Sequence, residues 1–263
     1  MRIVRTCRPS FVGALDGYTM SALRRVKRLL AWRRDRLSLG VAEPEMMPKS
    51  FLRSWLREDP VIVIAGAHAG QDCLELSRTW PAGHVHAFEP VPSLFRRLIH
   101  NARRCENVTA YMLALADRCG KGRMHVSSGA SDASSSLMMP KEHLRTNPDV
   151  LFEEVEEVEV TTLEAWCEAQ RVPQVDMLWL DMQGCELAML QASKRALDTV
   201  RAVYTEVFTV ELYDGAPLYP EVRTWLENRG FKVEREDLHW EEGGAVLFVR
   251  AGAHYAEPAS AKL

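Results

Sequence analysis

Apolar residues recur along most of the chain at two spacings, and the alternation between them predicts the fold. Val61 to Ala65 is a β-branched apolar run and Gln71 to Thr79 has helical periodicity; the pair repeats as 84–88 and 91–104 before a third run over 108–115. Strand, helix, strand, helix, strand with short connections is the rhythm of an open, mostly parallel α/β sheet. In the second helix Leu94, Phe95, Leu98 and Ile99 share one stripe, which leaves Arg96, Arg97, Arg103 and Arg104 to solvent.

The later part of the chain continues this pattern. Ala114-Leu-Ala-Asp117 ends the third strand, and a turn at Gly120 and Gly122 leads into a strand over Arg123 to Ser127. Val155, Val158 and Val160 then interleave with glutamates, which reads as the wet face of an edge strand, and Thr161-Thr162 suits the start of a helix over Leu163 to Gln170. Val175 to Leu180 is a further apolar strand, and the helix after it carries Leu187, Leu190 and Ala192. A strand over Val200 to Thr205, a helix over Tyr219 to Asn228 and a hairpin of Phe231 to Glu234 with Ala245 to Arg250 close the chain, the hairpin placing an antiparallel edge on the sheet. The segment Ser127 to Ser136 breaks the pattern: its hydroxyl and amide groups suit either a flexible connector or a ligand loop.

Ahead of the first strand, Phe51 to Arg57 reads as a short helix and Asp59-Pro60 as a turn. The expected organisation is a basic helical arm with a linker over 1–50, one domain over 51–251 and a tail over 252–263. With 47% hydrophobic and 26% charged residues in 263, the composition is that of a folded globular protein. The six cysteines are scattered without a C-x-x-C pair, so reduced thiols and a cytoplasmic location are expected. No apolar run reaches the roughly 18 residues of a membrane span, and the start of the chain lacks the apolar core of a signal peptide.

Charge changes the picture only for the arm. Residues 1 to 36 hold ten Lys or Arg against Asp16 and Asp35, so the arm is near +8 while the whole chain is at -3. Between Met20 and Trp32 the apolar positions recur at helical spacing with arginines between them. Such a helix can lie on an anionic membrane or grip phosphates. Packing of its apolar stripe on the acidic body of its own domain is the expectation; peripheral membrane contact and homo-oligomerisation stay open, and nucleic acid is disfavoured.

The candidate chemistry lies at the strand ends. Gly66-Ala-His-Ala-Gly70 follows the first strand, where glycines let the backbone approach a ligand, and Glu89, roughly 20 residues past the turn, can accept from ribose hydroxyls. Glycines after a buried strand also serve plain turns, so Glu89 at a second strand tip is what favours a ligand. In an open α/β sheet ligands bind outside the carboxyl ends of the strands, and Glu89, Asp117, Asp181 and Glu206 all fall at or near such ends.

These residues carry a resemblance. The series Gly66-Ala-His-Ala-Gly70, Phe88-Glu-Pro-Val-Pro92, Asn101, Ala116-Asp117, Thr162-Leu163, Asp181-Met-Gln-Gly-Cys-Glu186, Glu206 and Gly230-Phe231, spanning about 59–251, resembles the FkbM-type S-adenosylmethionine-dependent methyltransferases. The resemblance implies a Rossmann-like seven-stranded sheet with an antiparallel last strand, S-adenosyl-L-methionine as cofactor, and methyl transfer to an oxygen of a small natural product or a sugar. Carried over, Gly66, Ala67, His68 and Gly70 line the methionine end of the cofactor, Glu89 and Pro90 the ribose, and Ala116 and Asp117 the adenine, with Ser136, Asp181 and Met182 also at the cofactor. The family's usual Asp before the glycine turn and Asn within it are here Ile64 and His68.

Methyl transfer from a sulfonium needs donor and acceptor aligned in a dry site, and an alcohol acceptor must lose its proton to a base. Asp181 is the first candidate for that base, followed by Glu206 and His68; helix capping by Asp181 is its structural alternative, and a metal held by Asp181 and Glu206 is a further one. No metal is expected. Two other functions stay open: a non-catalytic binding or scaffold module with a decayed cofactor site, and a nicotinamide-nucleotide oxidoreductase, in which Glu89 would hold the adenosine ribose.

Overall fold

The computed structural model describes residues 47–252, so the basic arm and the helix expected over Met20 to Trp32 lie outside the described residues, as does the chain after Gly252. The strands are Val61–Ala65 (β1), His84–Phe88 (β2), Val108–Tyr111 (β3), Ala114–Leu115 (β4), Gly120–Gly129 (β5), Val150–Thr161 (β6), Met177–Leu180 (β7), Ala202–Phe208 (β8), Phe231–Asp237 (β9) and Gly243–Arg250 (β10). Seven of them form one sheet in the order β3-β2-β1-β7-β8-β10-β9. The first five in that order run parallel, and β10 is antiparallel to both β8 and β9.

The continuous apolar character of β1 and β7 follows from cover on both faces. Val63, Leu178 and Phe88 pack with Leu163, Trp166 and Met189 on one side, and Ile62, Ile64, Met177 and Trp179 pack with Leu76, Trp80 and Leu98 on the other. The helix Leu163–Gln170 begins where the threonines place it, with the Thr162 hydroxyl oxygen accepting from Ala165 N–H at 3.1 Å.

As expected, the last strand is antiparallel and the closing hairpin forms an antiparallel edge, with β10 between β8 and an outermost β9. Several other expectations are corrected. The third strand stops at Tyr111; Ala114–Leu115 leaves the large sheet and pairs in parallel with Val160 and Thr161 of β6. A second sheet, β4-β6-β5, results, and its β5–β6 hairpin is longer than the apolar spacing indicated. Its glutamates are exposed except for a half-buried Glu156, but β6 is the middle strand there, meeting β4 only at its last two residues. The segment before β1 is a 3-10 turn over Lys49–Ser54 rather than a helix over 51–57.

The five described cysteines are free thiols. Among the described residues no helix is long and apolar enough to cross a membrane.

Candidate active site

The carboxyl ends of β1, β2 and β7 meet the second sheet at a cleft with about 620 Å³ of empty space, part of it open to solvent. At its floor the tips of β1 and β7 touch through their backbones. A Cβ on Gly66, whose φ is +82°, would lie 1.8 Å from the Asp181 carbonyl oxygen, so only glycine lets the two tips approach this closely.

Glu89, 3% exposed, holds the neighbouring turn together. One carboxylate oxygen accepts from His68 N–H at 2.8 Å and the other from Val91 N–H at 2.9 Å. Burial nevertheless pushes its pKa up to about 7. A carboxylate has about four lone-pair positions, so two remain for hydroxyls in the cleft that Glu89 lines. Leu94, Leu113, Leu115 and Met124 form an apolar wall, and Asp181 lies at the polar end. An apolar slot for a base, a buried acceptor for a ribose and a carboxylate for a cation together fit S-adenosylmethionine.

Gly66, His68, Glu89, Pro90, Asp181 and Met182 line this cleft, and other expected residues do not. Ala67 is buried in the core and Gly70, φ +90°, caps the helix Gln71–Thr79. Ala116 is buried with the second sheet, and Asp117 is half-exposed and pairs with Arg118 at 2.8 Å. The wall at that level is Leu113 to Leu115, because the chain turns out of the large sheet after Tyr111. Ser136 is buried, its hydroxyl donating to the Gln183 carbonyl at 2.7 Å. Ile64 is 1% exposed in the core and absent from the cleft wall, so the replacement of the family's Asp does not strip a charge from that wall.

The serine-rich segment is part of the site. Asp132 and Ser135 line the cleft, and Asp132 joins His68 at 2.8 Å to Arg97 at 2.5 Å, so Arg97 is not merely solvated. His68 itself has φ +50°, and its Nε2 is the atom engaged by Asp132.

After β7 the carboxylates are wired through Gln183. Its amide N–H groups donate to Asp181 at 2.8 Å and to Glu206 at 2.5 Å, while its carbonyl oxygen accepts from the Tyr213 hydroxyl at 2.7 Å. The place where a cation shared by Asp181 and Glu206 would lie is thus taken by an amide donor. Among the described residues no group of three or more His, Cys, Asp or Glu is arranged to hold a metal. Burial, reinforced by the charge of Asp181, raises Glu206 well above the usual carboxylate range. Burial raises Asp181 too, but its hydrogen bonds to Gln183 and Glu206 oppose this, so Glu206 is the member of the pair that keeps the proton. Asp181 does not cap the next helix. The helix Glu186–Ala192 has Cys185 at its N-cap with no side-chain cap, and the Glu186 carboxylate instead closes the preceding turn, accepting from Met182 N–H at 2.6 Å and Gly184 N–H at 3.0 Å.

Gln183 and Glu186 stand inside the quoted Asp-x-Gln-Gly-x-Glu series, which was the signal available for them; Asp132 had only its place in the serine-rich segment, and Tyr213 had none. Glu206 lines an adjoining open cavity of about 510 Å³ that shares Asp181, Gln183 and Ala133 with the cleft.

Known proteins carry the same elements. The chain is 32% identical over 164 residues to the 2-O-methyltransferase NoeI of Sinorhizobium fredii, covering 60% of this chain and 68% of that protein. It is 27% identical over 207 residues to Methyltransferase 1 of Beauveria bassiana, with 73% and 80% covered, and 24% identical over 211 residues to the methyltransferase sdnD of Sordaria araneosa, with 70% and 78% covered. The nicotinamide reading gives way before these matches. The methyltransferase FkbM domain matches residues 65–233, from the tip of β1 into β9 and so across the whole cleft, and the chain belongs to that family of S-adenosylmethionine-dependent methyltransferases.

Proposed function

We propose that the chain is an O-methyltransferase acting on a hydroxyl of a small natural product or a sugar. Bound S-adenosylmethionine supplies an electrophilic methyl group. The observation that carries the reading is the Gln183 amide, which fixes Asp181 and Glu206 at the junction of the cleft and the adjoining cavity. Asp181, ionised and open to the cleft, accepts a hydrogen bond from the acceptor hydroxyl and takes its proton. Glu206, protonated, donates to Asp181 and holds its orientation. The name of the relative NoeI, a 2-O-methyltransferase, supports oxygen as the nucleophile.

Asp181→Asn tests this. The variant keeps the shape and an acceptor oxygen but cannot take a proton, so turnover should fall on the order of a hundredfold or more while S-adenosylhomocysteine affinity stays within a few-fold. Near-normal turnover would move the base to His68 or remove it from the mechanism.

A further inference from the structure

The adjoining cavity has walls of one sign. The carboxyl groups of Asp181, which is shared with the cleft, and of Glu241 and Glu242 line it, beside a Glu206 that keeps its proton and adds no charge; no lysine or arginine among the described residues lines it. Trp240, 41% exposed, presents an aromatic surface beside those glutamates. His143 is on the wall as well, 4% exposed, and its buried Nδ1 has no hydrogen-bond partner, which is uncommon for a buried polar atom. Burial lowers the pKa of His143, so its imidazole adds no positive charge.

We infer that this cavity holds the methyl acceptor and selects it by charge, admitting hydroxylated molecules that are neutral or carry an amine and excluding those that carry a carboxylate, phosphate or sulfate. The inference rests on the methyl-transfer reading, because what makes the cavity an acceptor site is that it opens onto Asp181 beside the cofactor cleft. An anion entering it meets carboxylates with no cation on the wall to offset them. A protonated amine meets the opposite field, and the Trp240 face suits both the cation and the C–H face of a sugar ring. Specificity of this kind is set by the repulsive element as much as by the attractive one.

The test uses the full chain saturated with S-adenosylhomocysteine and three matched methyl glycosides: of glucose, neutral; of glucosamine, cationic; and of glucuronic acid, anionic. Saturation-transfer NMR titrations give their affinities. The glucosaminide should bind at least tenfold more tightly than the glucuronide, with the glucoside between them. In the double variant Glu241→Gln, Glu242→Gln the ratio should shrink to about threefold or less, the melting temperature serving as the fold control. Equal binding of anion and cation, an unchanged ratio in the double variant, or no binding of any glycoside overturns the inference. Failure of the wild-type chain to bind S-adenosylhomocysteine would instead defeat the methyltransferase reading on which it rests.

Discussion

Two strand tips of the large sheet are closed by a buried glutamate that accepts from two backbone N–H groups. After β2 it is Glu89, bonded to His68 and Val91; after β7 it is Glu186, bonded to Met182 and Gly184. Each is 3% exposed, and burial pushes each to about pH 7. The difference is what lies beyond them. Glu89 lines the cleft, whereas Glu186 lines neither cavity. The same side chain in the same local role therefore serves the turn alone at one tip and also faces the cleft at the other.

The largest expected effect is at the structural tip. Glu186→Ala leaves two buried N–H groups without an acceptor, each costing about 1–3 kcal/mol, so the variant should lose roughly 2–4 kcal/mol in urea unfolding. A loss below about 1 kcal/mol would mean that water reaches those amides.

The next effect reads both tips through pH. An acid whose folded pKa is near 7 and whose unfolded value is 4.5 binds its proton more tightly when folded. Its contribution to stability is fully present below about pH 4.5 and is lost as pH rises through about 7. At a little over 1 kcal/mol per pKa unit, each glutamate accounts for on the order of 1–3 kcal/mol of that fall. Glu186→Gln should make stability measured between pH 4.5 and 7.5 visibly flatter; an unchanged slope would show that Glu186 is ionised across the range.

A smaller effect belongs to the segment over the cleft. Asp132 is half-exposed, so its pairs with His68 and Arg97 add at most about 1 kcal/mol to stability. Asp132→Ala should leave the melting temperature within a few degrees but change S-adenosylhomocysteine dissociation several-fold in stopped flow, because the latch ties two residues of the cleft wall, Asp132 and His68, to each other. Unaltered dissociation would reduce the latch to a surface ion pair.

What was legible in the sequence was what is local along the chain. The β1 tip with Gly66, the acid at Glu89 and the apolar β7 ending at Asp181 are contiguous patterns, and the structure places Gly66, Glu89 and Asp181 around one cleft. The departure of β4 from the large sheet was not legible, because Leu113 to Leu115 continue the apolar run of β3 while the partner that draws β4 away, Val160 and Thr161, lies far along the chain. The same holds for side chains. Asp132 meets His68 64 positions away and Gln183 meets Tyr213 30 positions away, pairings that no spacing rule encodes. The part played by Glu186 in the turn before the helix was hidden differently: Asp181 and Glu186 flank the same turn, and only the backbone path, with Gln183 at φ +54°, decides which one accepts from its amides.

The two tips are separated most directly by calorimetric titration of S-adenosylhomocysteine into the wild-type chain, Glu89→Ala and Glu186→Gln, each at a temperature where it is fully folded. Loss of a charge-assisted hydrogen bond to the ribose predicts at least tenfold weaker binding for Glu89→Ala, about 1.4 kcal/mol, with Glu186→Gln within about twofold of wild type. Unchanged affinity in Glu89→Ala, or equal losses in the two variants, would contradict the placement of the cofactor ribose at Glu89.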